Sequence, residues 1–389
     1  MTPGARVQAA IGILDAILTG VPAEKALTGW ARGSRYAGSK DRAAVRDHVY
    51  DALRKRRSAA ACGGALTGRG LMIGLLRLSG SDPAALFDGA GHAPAPLAPG
   101  EGGLAPDDLS SADAADLPDW LQDRFRTDLG AAAGPVMQAL RDRAPVFVRV
   151  NLPRATRAEA IAALSSDGIV AEPHPAVATA LRVTGGARRL RGSAAYEGGL
   201  VELQDASSQA AVAELFPVDG ARVLDFCAGG GGKALALAAA GAAGVVAHDI
   251  EARRMVDLPS RAARAGATID IRTGIDPATD GTFDLVLVDA PCSGSGTWRR
   301  DPEARWRLTP EALSDLVALQ ARILSRAAHF VAPGGRLAYA TCSVLEAENS
   351  GVLHAMSDLR DDLAPWVLRR WLPDEWGDGF HLGVTTRAV

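Results

Sequence analysis

Apolar side chains recur every three to four residues over the first ninety positions of the chain, a spacing that predicts amphipathic helices. The first helix has an apolar face formed by Val7, Ala10, Ile11, Leu14 and Leu18. A second helix is expected to begin with Ser39 as its cap, and a third to cover residues 71–78. Two further helices are expected over 118–129 and 135–143, so the amino-terminal part of the chain is predicted to be all-α.

The pattern then changes from helical spacing to alternation. Val146, Val148 and Val150 predict a strand, which is followed by a helix over 157–164 and an extended segment over 180–184. This combination predicts a small α+β module.

Beyond residue 200, strands alternate with helices. The strand candidates lie at residues 223–226, 245–250, 269–272, 285–289 and 337–341. Such alternation predicts a Rossmann-like, doubly wound α/β core with a largely parallel sheet and ligands at the carboxyl ends of the strands. We therefore expect a helical domain over 1–144, the α+β module over 145–200 and a catalytic domain over 201–389. Within the first domain, prolines and glycines over 89–106 predict a loop or linker.

Length and composition are those of an ordinary folded protein. Of 389 residues, 48% are hydrophobic and 22% are charged, which excludes wholesale disorder. The longest apolar stretch, Ala234–Ala247, has 14 residues and is too short for a membrane-spanning helix, while Asp15 interrupts the apolar run near the start that a secretory signal would need. The four cysteines are too few for a disulfide framework and lack the CxxC spacing of zinc sites. We expect free thiols in a reducing cytoplasm, no membrane association and no metal site.

Positive charge is concentrated near the amino terminus, although the whole chain carries a net charge of −3. Residues 1–100 contain 13 basic and 7 acidic side chains, and eight of the basic ones lie between Arg35 and Arg57. Such a face fits the phosphate backbone of a nucleic acid. It also fits an ordinary solvated helix surface, because cations near the end of a helix favour its dipole. Charge alone leaves both interpretations open.

A strand, a glycine-rich loop and a helix follow one another over residues 223–233. The loop offers free N–H groups and close approach to a ligand, but it also fits a dinucleotide or a purely structural turn. Asp225, four residues before the first glycine, favours S-adenosylmethionine, whose amino group is cationic. Asp249, at the end of the next strand, is placed to accept ribose hydroxyls in either kind of ligand. Asp276 is either placed to reach an adenine amino group or is an ordinary loop residue before Pro277.

Two cysteines, Cys292 and Cys342, follow the ends of two predicted strands that would open onto one ligand site. A single cysteine there is usually a small buried hydrophobe, but two in small-residue loops indicate chemistry. Asp289, at the end of the strand before Cys292, sits where a protonated carboxyl group would steady nitrogen 3 of a substrate ring. Carbon 5 of a pyrimidine becomes nucleophilic only after a thiolate adds at carbon 6, so the arrangement predicts thiol-dependent methylation.

These motifs resemble those of the Sun/Fmu-type (RsmB-like) RNA cytosine-5 methyltransferases. The segments that carry the resemblance are Gln204–Gln209, Cys227–Lys233, Asp289–Ser293 and Thr341–Ser343. Among the amino-terminal helices, Gly38–Arg46 resembles the NusB-like RNA-binding domain that some members carry. The resemblance implies a Rossmann-like class I S-adenosylmethionine-dependent methyltransferase core, preceded by an all-α domain and the small α+β module.

The resemblance also implies roles for individual residues. It makes Cys342 the nucleophile and Cys292 the thiol that assists product release, with Asp289 touching both the cofactor and the target base. The implied cofactor shell consists of Cys227, Ala228, Gly229, Gly230, Gly231, Gly232, Lys233, Asp249, Asp276 and Asp289. Two positions depart from the family pattern: Gly230 stands where proline is usual, and His381 stands in an aromatic pair near the carboxyl terminus.

The expected function is methylation of carbon 5 of cytosine in RNA, with S-adenosylmethionine as cofactor and a covalent Cys–cytosine intermediate. The helical domain favours ribosomal RNA as the partner, and transfer RNA is the alternative. A catalytically silent RNA-binding factor in ribosome assembly would need neither thiol. An NAD-dependent oxidoreductase would share the glycine loop but leave both strand-end cysteines without a role. We expect the protein to act as a monomer.

Overall fold

The computed structural model describes all residues from Met1 to Val389. Its α-helices are α1 Pro3–Leu18, α2 Ala23–Gly33, α3 Ser39–Arg54, α4 Arg56–Gly63, α5 Gly68–Leu78, α6 Ser111–Ala114, α7 Asp119–Leu129, α8 Ala133–Ala139, α9 Arg157–Ser166, α10 Ala194–Glu197, α11 Ala206–Ala213, α12 Gly232–Ala239, α13 Leu258–Ala265, α14 Pro277–Asp280, α15 Ala304–Arg307, α16 Pro310–Ala328 and α17 Ser350–Leu359. Its strands are β1 Val146–Val150, β2 Val170–Pro173, β3 Ala180–Gly185, β4 Val201–Leu203, β5 Arg222–Asp225, β6 Gly244–His248, β7 Asp270–Arg272, β8 Phe283–Asp289, β9 Val331–Thr341, β10 Val367–Trp371 and β11 Phe380–Thr386.

The chain forms two compact units and passes between them three times. The first unit consists of Met1–Arg143 and the separate segment Trp298–Arg307, and the second consists of Ala144–Thr297 and Leu308–Val389. Sequence patterns predict that residues 298–307 belong to the catalytic domain. The structure places them in the first unit, which corrects that prediction. The limits expected for the three domains otherwise stay a prediction.

The first unit is a set of helices around one apolar core. Its fully buried side chains include Val7, Val49, Leu53, Leu71 and Ile73. The expected cap is wrong, because Ser39 is the first residue of α3 and the capping position is Gly38, which makes no side-chain hydrogen bond. Helices α2 and α4 add to those predicted, and α8 ends earlier, at Ala139. No single helix is long and apolar enough to cross a membrane, and α4 with α5 reaches that length only across a 95° bend.

The segment Trp298–Arg307 is held in the first unit by its buried side chains. The ring of Trp298 stacks on Phe125 with 5.9 Å between the ring centroids. Arg305 is fully buried, and its Nη2 donates to the carbonyl oxygen of Leu140 at 2.7 Å. These are contacts of a folded core, so the segment is an integral part of the unit.

The stretch 89–106 lies inside the first unit rather than between two units. Its residues up to 105 form no helix or strand, as predicted. The N–H of Gly103 donates to the carbonyl oxygen of Cys62 at 3.0 Å, and Glu101 forms an ion pair with Arg69. The stretch is therefore a packed loop, and its interpretation as a linker is corrected.

The second unit begins with a four-stranded antiparallel sheet in the order β2-β3-β1-β4. Helix α9 packs on this sheet and starts with a capping box, in which Thr156 and Glu159 satisfy each other's N–H groups. The strands predicted at 146–150 and 180–184 are present as β1 and β3. The edge strand β2 ends in Pro173 and β4 has three residues, so neither shows a sustained alternation.

The rest of the second unit is built on a seven-stranded sheet in the order β10-β11-β9-β8-β5-β6-β7. Strands β5 to β9 are parallel and correspond to the five predicted strands, which confirms the Rossmann-like α/β class. Strand β11 pairs antiparallel with both β9 and β10, and this pair of strands was not predicted. The chain order reverses between β5 and β8, so the carboxyl ends of these two strands flank the crevice where doubly wound sheets bind ligands.

Candidate active site

The two cysteines singled out in the sequence meet at the carboxyl ends of β8 and β9. Cys292 lies in the loop after β8, and Cys342 directly follows Thr341, the last residue of β9. Their Sγ atoms are 3.4 Å apart, which is hydrogen-bond distance for two sulphur atoms. Both side chains are partly exposed. The fold therefore joins two distant motifs into one accessible site.

The two thiols differ in acidity. The hydrogen bond from Cys292 lowers the pKa of Cys342, and the cationic Lys233 and the hydroxyl of Thr297 act in the same direction. The same hydrogen bond, together with burial, raises the pKa of Cys292 well above its ordinary value. Burial also raises the pKa of the other two cysteines. Cys342 is thus the one cysteine of the four whose surroundings favour the nucleophilic thiolate.

A buried lysine links the glycine loop to the end of β8. The Nζ of Lys233 lies 2.5 Å from Oδ2 of Asp289 and 4.9 Å from the centre of the Phe380 ring. Burial opposes the charged form of Lys233, but Asp289 outweighs it, so the pKa of Lys233 lies above its ordinary value. Asp289 therefore acts as a hydrogen-bond acceptor toward an ammonium group.

Asp225, the last residue of β5, is a buried carboxylate whose two oxygens have no hydrogen-bond partner. Burial first, and then the nearby Asp289, raise its pKa to about 7. Because buried polar groups are almost always satisfied, an unsatisfied carboxylate at the end of a central strand points to a cationic group that it would bind. The family resemblance does not include Asp225 in the implied cofactor shell. We add Asp225 to that shell because its carboxylate is buried without a partner.

The glycine loop turns sharply between β5 and α12. Gly229 and Gly231 have φ angles of +51° and +77°, which glycine adopts without strain. A Cβ at Gly231 would lie 2.2 Å from a side-chain carbon of Leu258. Gly230, which replaces the usual proline, is held through its carbonyl oxygen by a hydrogen bond from Arg261. A contact from a neighbouring helix thus fastens the loop where the proline is missing.

Asp249 follows β6 and is 2% exposed. Its Oδ2 accepts from the N–H of Gly229 at 3.0 Å and pairs with Arg254 at 3.2 Å. The carboxylate therefore lies against the glycine loop. Together with the unsatisfied Asp225, this cradle fits S-adenosylmethionine, which carries both a cationic amino group and a ribose.

Two expected positions are less closely tied to this cradle. Asp276 is exposed and caps the short helix α14, where it accepts from the N–H of Ala278 at 2.8 Å. His381 is buried with its Nε2 unpartnered, and burial lowers its pKa to about 4, so the ring is neutral. The neighbouring Phe380 supplies the ring that faces Lys233, so the histidine leaves that contact intact.

One residue beside the cysteines is not predicted from the sequence. Glu348 is fully buried and accepts hydrogen bonds from Ser293 and Ser343, which follow the two cysteines. It lies in a short segment that also contains the partly exposed Glu346. Only its burial distinguishes it from a surface acid.

Two family models match this chain. The model described as 16S rRNA methyltransferase RsmB/F matches residues 212–369, a range that contains the glycine loop and both cysteines. This part of the chain is therefore similar to the RsmB/F methyltransferases. A second model, the ferredoxin-like domain of RsmF/B-like methyltransferases, matches residues 117–188. Neither model covers residues 1–116, so the NusB-like domain stays a prediction.

Individual proteins are also similar to this chain. The ribosomal RNA small subunit methyltransferase B of Cronobacter sakazakii is 36% identical over 244 residues, which is 61% of this chain and 57% of that protein. The chain thus spans less than two thirds of the length of this relative. Among solved structures, PH0851 has a TM-score of 0.76 at 22% identity and covers 99% of both chains. A methyltransferase homolog protein from Pyrococcus horikoshii has a TM-score of 0.62 at 23% identity, over 72% of this chain and all of that one. Identities this low show the fold alone, which is the Rossmann-like α/β fold.

Proposed function

We propose that this protein is a member of the RsmB/F methyltransferases and methylates carbon 5 of cytosine in RNA. The observation that carries the proposal is the contact between Cys292 and Cys342, a neutral thiol 3.4 Å from a thiol with a lowered pKa. Neither an NAD-dependent oxidoreductase nor a silent assembly factor would use this pair. Ribosomal RNA is favoured because the Cronobacter sakazakii relative is named for it, with transfer RNA as the alternative. Free thiols at all four cysteines fit a reducing cytoplasm.

When bound, S-adenosylmethionine supplies an electrophilic methyl group on a cationic sulphur. Asp225 would accept a hydrogen bond from the amino group of the cofactor. The turn at Gly229 would let the amino-acid part of the cofactor lie close to the protein backbone. Asp249 would accept the ribose hydroxyls. Asp276 stays proposed for the adenine amino group, and there it would share its carboxylate with the cap of α14.

The reaction begins at Cys342, whose thiolate adds to carbon 6 of a cytosine held out of its stack. A carbon–sulphur bond forms, and the ring electrons move toward carbon 5 and nitrogen 3. The negative charge that develops on the ring faces the ammonium of Lys233, while Asp289 accepts a hydrogen bond from the exocyclic amino group. Asp289 already accepts a hydrogen bond from Lys233, which supports its role as an acceptor in this step.

Carbon 5 then takes the methyl group, and the electrons of the broken sulphur–methyl bond stay on the donor sulphur. Cys342 is now a neutral thioether, so the anion that raised the pKa of Cys292 is gone and Cys292 can lose its proton to water. The Cys292 thiolate removes the proton from carbon 5. The carbon 5–carbon 6 double bond forms again, and the bond to Cys342 breaks and returns its thiolate.

Substitution of each cysteine tests this assignment, because the two variants should fail at different steps. Cys342→Ala forms no carbon–sulphur bond and is expected to give neither methylated RNA nor an adduct. Cys292→Ala is expected to transfer the methyl group and then accumulate as a covalent protein–RNA complex that survives denaturing electrophoresis. Cys62→Ala, in the core of the other unit, is the matched control and should turn over normally. Labelled methyl groups, followed separately into ribosomal and transfer RNA, measure all three variants.

Each other outcome has a definite meaning. An adduct that forms with Cys342→Ala instead of Cys292→Ala would reverse the two roles. Normal turnover by both variants would overturn the covalent mechanism. RNA binding by the unmodified protein without any methylation would favour the silent assembly factor.

A further inference from the structure

A buried glutamate connects the two loops that carry the cysteines. Oε2 of Glu348 accepts hydrogen bonds from the hydroxyls of Ser293 and Ser343, the latter at 2.6 Å. Its Oε1 accepts from the N–H of Ser293 at 2.8 Å and from a side-chain amide of α16 at 3.0 Å. Ser293 directly follows Cys292 and Ser343 directly follows Cys342. One carboxylate therefore holds the residue next to each cysteine.

The segment that presents Glu348 is itself fixed. The hydroxyl of Tyr339 donates to the carbonyl oxygen of Glu348 at 2.7 Å. The next residue, Asn349, donates through Nδ2 to the carbonyl oxygen of Ser343 at 3.0 Å and accepts from the hydroxyl of Thr341 at 2.6 Å. All of these groups are buried, where hydrogen bonds exchange least with water. The carboxylate is thus a fixed point against which both loops are aligned.

We propose that Glu348 is the positioning residue that sets the distance between Cys292 and Cys342. The loops have other links, but these join the first loop through Ser295, Gly296 and Thr297, farther from its cysteine. Glu348 is the link adjacent to both thiols. It holds the two Sγ atoms 3.4 Å apart, at hydrogen-bond distance, so that Cys292 would donate to Cys342 when Cys342 is ionised. The catalytic meaning of this spacing rests on the proposed two-cysteine mechanism.

The pH dependence of alkylation at Cys342 tests the proposal without RNA or methyl transfer. Iodoacetamide reacts with the thiolate, and mass spectrometry assigns the reaction to each cysteine. Besides Cys292, the charged groups that face Cys342 are Lys233 and Asp289, which remain in every variant. Loss of the hydrogen bond from Cys292 should raise the midpoint of alkylation by about one to two pH units.

Glu348→Ala is expected to show this rise in the midpoint. Cys292→Ala should show the same rise, and the double variant should show no further rise, because both substitutions remove the same hydrogen bond. Glu348→Gln keeps the length of the side chain, and the serine hydroxyls can turn to accept from its amide. Its midpoint should therefore stay close to that of the unmodified protein.

A role through charge alone gives a different result. It would make Glu348→Gln behave like Glu348→Ala, and the loss of a negative charge would lower the thiol pKa values rather than raise them. Glu348→Asp keeps the charge but is one methylene too short to reach both serines, so it should show part of the rise. This variant keeps the test valid if Glu348→Ala does not fold. Glu346→Ala, which removes contacts to Ser350 and Arg370 in the same turn, should leave the midpoint unchanged.

S-adenosylhomocysteine binding and thermal melts identify the variants that are folded. An unchanged or lowered midpoint in folded Glu348→Ala and Glu348→Asp overturns the proposal. If the unmodified protein methylates no RNA, the proposed function fails while the alkylation result still stands. The two failures are therefore distinguishable.

Discussion

Asp225 gives cofactor binding a definite pH dependence. Its pKa in the free protein is about 7, whereas a bound cation favours its ionised form, so binding below pH 7 must first remove a proton. Affinity for S-adenosylhomocysteine should rise about tenfold from pH 6 to pH 8 and then level off. Asp225→Asn removes the titrating group and should flatten the profile measured by calorimetry. Titration of the ligand itself affects both proteins equally. If the pH dependence of affinity persists in Asp225→Asn, it arises from a group other than Asp225.

Asp249 is expected to contribute directly to cofactor affinity. Loss of a charged acceptor for a ribose hydroxyl costs about 1.5–3 kcal/mol, so Asp249→Ala should bind S-adenosylmethionine roughly 10- to 150-fold more weakly. Arg254→Ala is the matched control, since it breaks the ion pair of Asp249 but keeps the carboxylate. Calorimetric titration with thermal melts measures both variants. Affinity of Asp249→Ala within about twofold of the unmodified protein would show that the ribose assignment is wrong.

The site residues that sequence could predict are those whose chemistry lies within a local motif. Cys292 and Cys342 each follow a strand candidate and Asp249 lies at the end of another, and the predicted sheet already places such positions at one edge. Glu348 could not be predicted, because its burial arises from the packing of two loops that are distant in the chain. The missing partners of Asp225 are likewise visible only once the surrounding side chains are in place.

At the level of elements, one group of unpaired positive charge in the first unit lies just before α3 and in its first turn. Three of the eight basic residues noted in the sequence pair with acidic side chains, namely Arg46, Arg54 and Arg57. Arg35, Lys40 and Arg42 are exposed and form no ion pair. Tyr36, which is 75% exposed, lies beside them and offers a surface on which a base can stack. The candidate RNA contact is therefore this patch rather than the whole basic stretch.

Salt dependence tests the patch. A triple variant with Arg35→Ala, Lys40→Ala and Arg42→Ala should bind RNA more weakly, with a slope of log K against log salt that is shallower by about 2, since each contact to single-stranded RNA contributes about 0.7. The matched control carries Arg46→Ala, Arg126→Ala and Arg143→Ala, which remove the same charge from exposed ion pairs of the same unit. Equal slopes for the two triple variants would show that the patch is only a solvated surface.

Two strands of the large sheet that sequence patterns missed, β10 and β11, both lack the hydrophobic pattern typical of a strand, each for its own reason. Strand β11 is buried along most of its length and contains Gly383, so it shows neither alternation nor an uninterrupted apolar run. Strand β10 lies at the sheet edge with most of its side chains exposed, including two arginines. Four of the five parallel strands were predictable because each contains a short apolar run, whereas β7 has three residues of which only Ile271 is apolar.

At the scale of the whole molecule, chain order and unit membership diverge. The proline- and glycine-rich stretch 89–106 is a mostly exposed loop within the first unit, so a cut there would divide one unit rather than separate two. The segment Trp298–Arg307 belongs to that unit as well, although it lies beyond four strands of the large sheet. Composition could not show this membership, because it depends on where Trp298 and Arg305 are buried.

This membership bears on how the protein forms during translation. A nascent chain emerges from its amino terminus, and domains generally fold in that order. The helices of the first unit leave the ribosome early, yet Phe125 has no Trp298 to stack on until more than 170 further residues have been made. The first unit therefore cannot be completed as soon as its first 143 residues are made, and it must persist with part of its core open while four strands of the large sheet emerge.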